Sequence, residues 1–541
     1  MVIVPDSDII LIKSPLKLDN YNQITFASAS AQHDYFNSLP KLEYDGCTYQ
    51  RKDGVIRYST DKEIDTNAPR FEDLLQYNYC MYKNDSYSDK WFYAFITDVK
   101  YINDGMSEIT IDTDVFQTWQ FEITYMNSFI EREHVSDDTI GLHTLPENLE
   151  TGEYIVNNLN KNDTLTSNSI LVASTIDLTT YVADGGGAYG GVYQGYNLYA
   201  FSNTSSGRLA LQKTIMQMNI DQKLDAIVGI FLCNPMFYTT DTLSEGSKVT
   251  PETTPRGFTW GRGGSQTDTP INKLTTLNGY SPKNNKLKTY PYMYLLLDNG
   301  NGSQAIYRYE DFNDSQNPTT CEFDIIGTPS FGGSYYATPL NYGGTPTDNY
   351  KNRLHGGKIP TCGFQNDTFI NWLTANAVSI PVGNVNDGLQ AISGAINYFR
   401  GNHTGGISQV ASGLGGIAER MYSKEYHSKM PPQQVGNADT GDVNFTSGLT
   451  TFTAYAMSIK QEYAKIIDDY FQIYGYKVNR LATPNIHKRS NWDFIKCIDV
   501  NLEGNIPEKD LTKIRDLFNN GCTFWHTTSN FLDYSQTNSI L

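Results

Sequence analysis

Charge is scarce in this chain, and cysteine is scarcer. Charged residues make up 18% of the 541 positions, below the quarter usual for soluble domains. Seven cysteines, Cys47, Cys80, Cys233, Cys321, Cys362, Cys497 and Cys522, are widely spaced, odd in number and never form a CxxC or Cys/His ligand pair. That pattern excludes a disulfide scaffold and zinc-ribbon spacing, and it predicts buried free thiols. No uncharged apolar run reaches the roughly 18 to 20 residues of a membrane helix. The opening MVIVPDSDII has Asp6 and Asp8 where a signal peptide has a basic start and a longer apolar run. The expectation is a protein made and folded in a reducing cytoplasm, with any membrane contact made by another route.

The stronger catalytic signatures are missing as well. The sequence has no Walker A loop, no GxSxG elbow, no HExxH and no EF-hand spacing, and each of those marks a chemistry that needs its residues at fixed separations. The eight histidines are dispersed. His134, following Glu131 and Glu133 in FIEREH, has the residue types of a metal or acid/base cluster, but the expectation is a solvated, structurally paired edge. Asp112 and Asp114, two apart on an expected strand, share a face about 7 Å apart, a spacing compatible with the paired carboxylates of a glycosidase and with any DxD on a strand. The expected protein is not an enzyme, and it has no catalytic residues, no metal and no cofactor.

What the chain has in quantity is aromatic and turn-forming. Aromatics reach 13%, with 38 tyrosines, and there are 44 glycines, a mixture that suits strands joined by tight turns. The fold class expected is mainly β with α+β parts, in three or four domains of ordinary size. The net charge is -18, which argues against general nucleic-acid affinity, because duplex binding rests on Lys and Arg meeting phosphates. The excess is uneven: residues 1 to 150 hold 26 acidic and 12 basic side chains, a net of -14, whereas residues 452 to 541 hold 10 of each.

Along the chain, WFYAFITDVKYINDGMSEITIDTDVF places two strand-like runs around Asn103-Asp104-Gly105, residues that tolerate the positive φ of a hairpin turn. Leu211, Ile215 and Met218 fall at helical spacing ahead of a strand ending near Pro235. A Pro/Thr/Gly-rich stretch from about 240 to 282 reads as a surface loop or domain link. In TYPYMYLLLDNGNGSQAIYRYEDF the Gly300-x-Gly302 pair reads as a hairpin turn, because a strand and not a helix follows it. Near the end, Ile459, Tyr463, Ile466, Ile467, Tyr470 and Phe471 are assigned to one helical face stopped by Gly475. Trp492, Phe494, Ile498, Val500 and Leu502 alternate as a strand, and Pro507 to Gly521 reads as a second helix. Together these elements predict a C-terminal helix-strand-helix cap. The divisions expected are 1–145 (antiparallel β), 146–255 (α+β), 256–375 (β-rich), 376–440 (a low-charge, Gly-rich insertion) and 441–541 (α/β).

The segment 376–418 stands apart. It holds two formal charges, Asp387 and Arg400, and nine glycines. Leu389, Ile392, Ile396 and Phe399 fall near helical spacing, and Ile407, Val410, Leu414 and Ile417 form a second apolar set interrupted by glycine. Three readings stand side by side: a flexible insertion over the core, a buried hairpin, or an amphiphilic loop that is hidden until use and then enters a bilayer, its small residues letting copies pack closely.

Several long stretches carry a resemblance: TYQRKDGVIRY, MYKNDSYSDKWFYAFITDVKYIN, ITIDTDVFQTWQFEITYMNSFIEREHV, KTYPYMYLLLDNGNGS, and the run from YAMSIKQEYAKIIDDYFQIYGYKVNRL to GNIPEKDLTKIRDLFNNGCTFWH. They span about residue 47 to residue 526, and in them the chain resembles the tail-knob, or distal tail tube, proteins of small short-tailed phages with protein-primed genomes. The resemblance implies a virion tail component assembled in the host cytoplasm as a homohexamer. Residues 1–145 and 146–255 would be tube domains, 256–375 a knob domain, and the assembly a ring around a central channel. Implied partners are other tail proteins at the collar or upper tube and at the tip, viral DNA passing through without specific binding, and the host membrane met by the 376–418 loop. An acidic lumen would keep passing DNA from adhering. Two other classes stay open on the residues alone: a receptor-binding tail protein whose Tyr and Trp stack on host glycans, and a tail glycosidase.

Overall fold

The computed structural model describes residues 7–47, 50–60, 68–84, 90–166, 168–178, 196–221, 223, 226–241, 243–250, 256–263, 269–329, 333–343, 352–358, 361–362 and 451–541. They fall into two compact units, each discontinuous in sequence: Met1–Glu150 with Pro282–Leu287 and Glu462–Leu541, and Thr151–Ser281 with Lys288–Gln461. Both are built mainly from antiparallel sheets with a few helices.

The first unit opens on a six-stranded sheet ordered Lys41–Cys47, Ser7–Ile12, Tyr79–Asn84, Trp91–Asn103, Met106–Thr113, Val55–Ser59, every neighbour antiparallel. The expected hairpin is present, with Asn103 paired to Met106 and the Gly105 amide donating to the Asn103 side chain at 3.0 Å. Helix Ala29–Ser38 starts where the Ser28 hydroxyl accepts from the Ala31 amide at 3.1 Å, a cap worth about 1 kcal/mol. Its Phe36 packs on Tyr79 and Tyr93 in a core completed by Ile10, Ile12, Leu16, Ile24, Met81 and Phe95.

The second sheet of this unit mixes the two ends of the chain. Its order is Asn22–Ile24, Cys522–Trp525, Trp492–Asp499, Ser128–Glu133, Tyr476–Ala482, parallel at the first junction and antiparallel elsewhere. Helix Glu508–Asn520 begins after Pro507 and ends at Gly521, whose φ of 91° only glycine adopts without strain. It buries Leu511, Ile514, Leu517 and Phe518.

Two details of this region depart from the sequence expectation. Helix Gln461–Tyr474 buries Ala464, Ile467, Asp468 and Phe471, while Ile466 is exposed and Ile459 closes the preceding strand Thr453–Ile459. In strand Trp492–Asp499 the register slips on either side of Cys497. These bulges turn Cys497 inward and leave Ile498 exposed, so the period-two alternation fails there.

Among the described residues the second unit contains three sheets. One is ordered Tyr154–Lys161, Thr453–Ile459, Met293–Asp298, Gln304–Tyr307; another Ser247–Lys248, Asn197–Phe201, Ser169–Ser174, Ile227–Cys233, Thr361–Cys362; the third Arg256–Trp260, Phe323–Gly327, Ser334–Pro339, Leu354–Lys358. Helix Ser205–Ile220 buries Leu211, Ile215 and Met218 as their spacing predicts. The Gly300-x-Gly302 segment is a hairpin turn, with φ of 67° and 88° at the two glycines. The stretch expected as loop from 240 to 282 instead contains strand Arg256–Trp260, with Trp260 fully buried. Five residues are too few to show a period, and pairing with Phe323–Gly327 supplies the order.

Gly475 ends its helix with φ 63°, its amide bonded to the Phe471 carbonyl at 2.8 Å, and any Cβ there would collide with the Glu133 backbone carbonyl. Gly475→Ala is therefore expected to destabilise the first unit by more than the ~1 kcal/mol of a left-handed alanine. Urea unfolding of the variant beside the parent checks this, and an unchanged midpoint would refute it.

Candidate functional surfaces

The long hairpin gives the first unit its most exposed backbone. Strand Tyr79–Asn84 accompanies strand Trp91–Asn103 only as far as Phe95. From Thr97 to Asn103 the longer strand is therefore paired on one side only among the described residues. This arm exposes Tyr101, Ile102 and Met106, and its register shifts at Ile96/Asp98 and Tyr101/Asn103.

The acids of segment 98–122 occupy three different environments. Glu108, Asp112 and Glu122 have cationic neighbours: Arg57 at 3.5 Å, Lys513 at 2.9 Å and Lys90 at 2.6 Å. Lys90 also lies 3.6 Å over the Trp119 ring, whose indole N–H donates to the buried Asp510 at 2.8 Å. Asp98 and Asp104 lie on the exposed arm, where the Tyr101 hydroxyl bonds Asp104. Asp114 is inside the protein.

That last placement dissolves the carboxylate pair read from DxD. Strand Met106–Thr113 ends before Asp114, which caps helix Val115–Trp119 by accepting from the Gln117 amide at 3.1 Å and from the Tyr79 hydroxyl at 3.0 Å. Burial pushes its carboxyl up to about 6, against the hydrogen bonds that favour the charged form. Asp112 instead faces Lys513, and the two do not flank a common cleft as a general acid and base would.

A carboxyl held above its unfolded value stabilises the fold at low pH, and that contribution is lost as pH rises through about 6. Asp114→Asn keeps the cap acceptor and removes the charge. The stability of this variant relative to the parent is therefore expected to improve by roughly 1–2 kcal/mol between pH 5 and pH 8. Denaturant titrations at the two pH values measure it; a parallel pH dependence in both proteins would refute it.

The FIEREH cluster is paired as expected, but two of its members are buried rather than solvated. Glu133, fully buried, meets the Arg480 guanidinium at 2.6 Å and Lys488 in a shorter contact. Glu131 meets Lys496 at 2.8 Å. His134 accepts from the Phe494 amide at Nδ1, 2.8 Å, and donates from Nε2 to the Gln472 carbonyl, 3.0 Å. Burial lowers its imidazole to about 4, so it is a neutral structural ring.

Cys80, Cys233, Cys321, Cys497 and Cys522 are buried free thiols and Cys47 is half-buried. Among the described residues no group of His, Cys, Asp and Glu could hold a metal, and no helix is long and apolar enough to cross a membrane. Leu389, Ile392, Ile396, Phe399, Ile407, Val410, Leu414 and Ile417 all lie outside the described residues.

Comparison with known proteins gives the context. Residues 6–124 match the N-terminus of the caudoviral major tail protein, and residues 257–539 match the C-terminal domain of the tail knob protein gp9 of Bacillus phage phi29. Over 98% of its length the chain is 24% identical to that gp9, again over 98% of the relative, and equally to its counterpart from Bacillus phage PZA. The tail knob protein gp12 of bacteriophage C1 shares the fold with a TM-score of 0.61 at 15% identity, covering 99% of this chain and 100% of that one. With one family model spanning more than half of its residues, the chain belongs to the phage tail knob proteins and is a structural component of the virion tail.

Proposed function

We propose that six copies form a ring that closes the distal tail as a tube and knob, with a channel through which the genome leaves. The observation that carries this reading is the likeness to tail knob proteins along nearly the whole chain. It is supported by the one-sided pairing of Thr97–Asn103, because a subunit that joins copies of itself head to tail needs unsatisfied edges. Assembly takes place in the host cytoplasm, and the ring meets the upper tube or collar on one side and the tip on the other. Viral DNA passes without specific binding, as the net charge of -18 favours. The mass of the assembled protein is expected to be six times that of the chain. A trimer or a stable monomer would remove this reading.

Residues 376–418 serve in this proposal as a plug that later enters the host membrane. The physical ground is the near absence of charge, Asp387 and Arg400 alone, since each charge placed in hydrocarbon costs ~2.5 to 3.5 kcal/mol on insertion scales. Leu389, Ile392, Ile396, Phe399, Leu414 and Ile417 would face lipid, and the Asn, Ser and Gly backbone would face water or neighbouring copies. Deleting 376–418 is expected to abolish dye leakage from liposomes while leaving the ring intact. Leakage equal to the parent's, or failure of the ring to assemble, would show that the segment has another role.

A further inference from the structure

The last residues of the chain, 527–541, lie across the mixed sheet of the first unit as a strap. Leu541 N donates to Lys488 O at 3.0 Å and Ser490 N to Ser539 O at 2.9 Å. The Asn538 side chain accepts from the amides of Asn491 and Trp492, at 2.9 and 3.1 Å, and donates to Trp492 O at 2.8 Å. Tyr534 packs against Trp492 and Trp525 at ring separations of 5.3 and 4.9 Å, and both indoles are fully buried.

The loop that receives the strap is held from its other side by one carboxylate. Asp493, 1% exposed, accepts at Oδ2 from the amides of Lys488 and Arg489, at 2.7 and 3.0 Å, and from His526 Nε2 at 3.0 Å. Its Oδ1 is buried without a hydrogen-bond partner. His134 Nδ1 lies 4.0 Å from that bare oxygen, and the His487 ring stands 4.9 Å from His526. Three imidazoles thus gather around one buried carboxylate.

The hydrogen bonds of His134 admit one protonation state. Nε2 faces a carbonyl and carries the proton, while Nδ1 takes the Phe494 amide. A proton on Nδ1 would set two N–H groups against each other and free Phe494, two residues from the strap's anchor at Trp492. Asp493 faces His134 from the strand, and Lys488 and Arg489 from the loop. Behind Arg489 stand Tyr476 and Asp138. His487 faces His526 and Asp493.

We propose that residues 527–541 are an acid-released strap: proton uptake by His134 and His487 unseats the 487–491 loop from Asp493, and the strap with it, uncovering Trp492 and Trp525. Burial lowers the titration of both histidines, His526 adding to the effect at His487. Groups lowered in this way stabilise the closed arrangement fully above the ordinary histidine value of ~6.5, and the stabilisation is lost as pH falls below it. The strap's behaviour follows from this cluster alone and does not depend on how copies assemble.

Hydrogen exchange of the full-length protein at about pH 7.5 and about pH 5.5, corrected for intrinsic rates, tests this. The amides of Asn491, Trp492 and Leu541 are expected to lose roughly tenfold in protection at the lower pH, about one proton's worth per pH unit, while strand Tyr79–Asn84 keeps its protection. Tryptophan emission should shift to the red over the same range. His487→Gln, at an exposed position, should shrink the pH effect, and His134→Gln should remove most of it. Equal strap protection at both pH values, loss of strand Tyr79–Asn84 in parallel, or an unchanged pH effect in both variants would each overturn the proposal.

Discussion

The buried carboxylate of Glu133 is the point on which the first unit depends. It sits at the end of strand Ser128–Glu133, which lies between Trp492–Asp499 and Tyr476–Ala482, and it binds Arg480 and Lys488 across sequence separations of 347 and 355 residues. Removing the carboxylate would leave the buried Lys488 ammonium without compensation, a loss of about 3–5 kcal/mol for a buried ion pair. The carboxylate is fully buried, so it admits only the register that delivers both cations. That register then places His134 against Phe494 and Gly475 beneath the Glu133 carbonyl. A shift of one residue would lose all three.

The same logic explains the uneven charge. Part of the N-terminal excess of acid is met in three dimensions by cations from the balanced C-terminal segment: Lys509 beside Asp53, Lys513 beside Asp112, Lys496 beside Glu131. Glu147, whose side chain is also buried, takes Arg132 and Lys286 together with the Lys477 amide at 2.9 Å. Exposed pairs of this kind contribute little each, but the buried ones fix which segments belong together. In the proposed channel, the acids left to repel a passing polyanion would be those without such partners among the described residues, such as Asp98 and Asp104 on the hairpin arm.

Local signals in the sequence translated well where local chemistry decides. Asn103-Asp104-Gly105 and Gly300-x-Gly302 demand turns, Pro507 and Gly521 bracket a helix, and Leu211, Ile215 and Met218 define a buried stripe, each outcome set within a few residues. Misreadings cluster where a distant partner overrides the period. The bulges around Cys497 come from matching strand Ser128–Glu133. Strand Arg256–Trp260 is ordered by residues 323–327, and the buried face of helix Gln461–Tyr474 includes Asp468 because Lys283 and Asn284 donate to it. Asp114 was legible as an acid and illegible as a cap, since nothing before it signals that the strand has ended. The 376–418 segment was legible only as composition.

The exposed hairpin arm sets a stricter condition on any assembly than composition does. An antiparallel edge bearing Tyr101 and Ile102 is a hazard for a free subunit, since any strand can add to it. Two features restrict what can pair. The register shifts at Ile96/Asp98 and Tyr101/Asn103 interrupt the regular spacing of donors and acceptors, and Asp98, Lys100 and Asp104 place alternating charges along seven residues. A partner strand must match both, which disfavours indiscriminate aggregation and favours one repeated partner in one register. In the proposed ring that partner is the next copy of the chain, so the irregularities that weaken the strand as part of a single subunit make it selective as a junction between subunits.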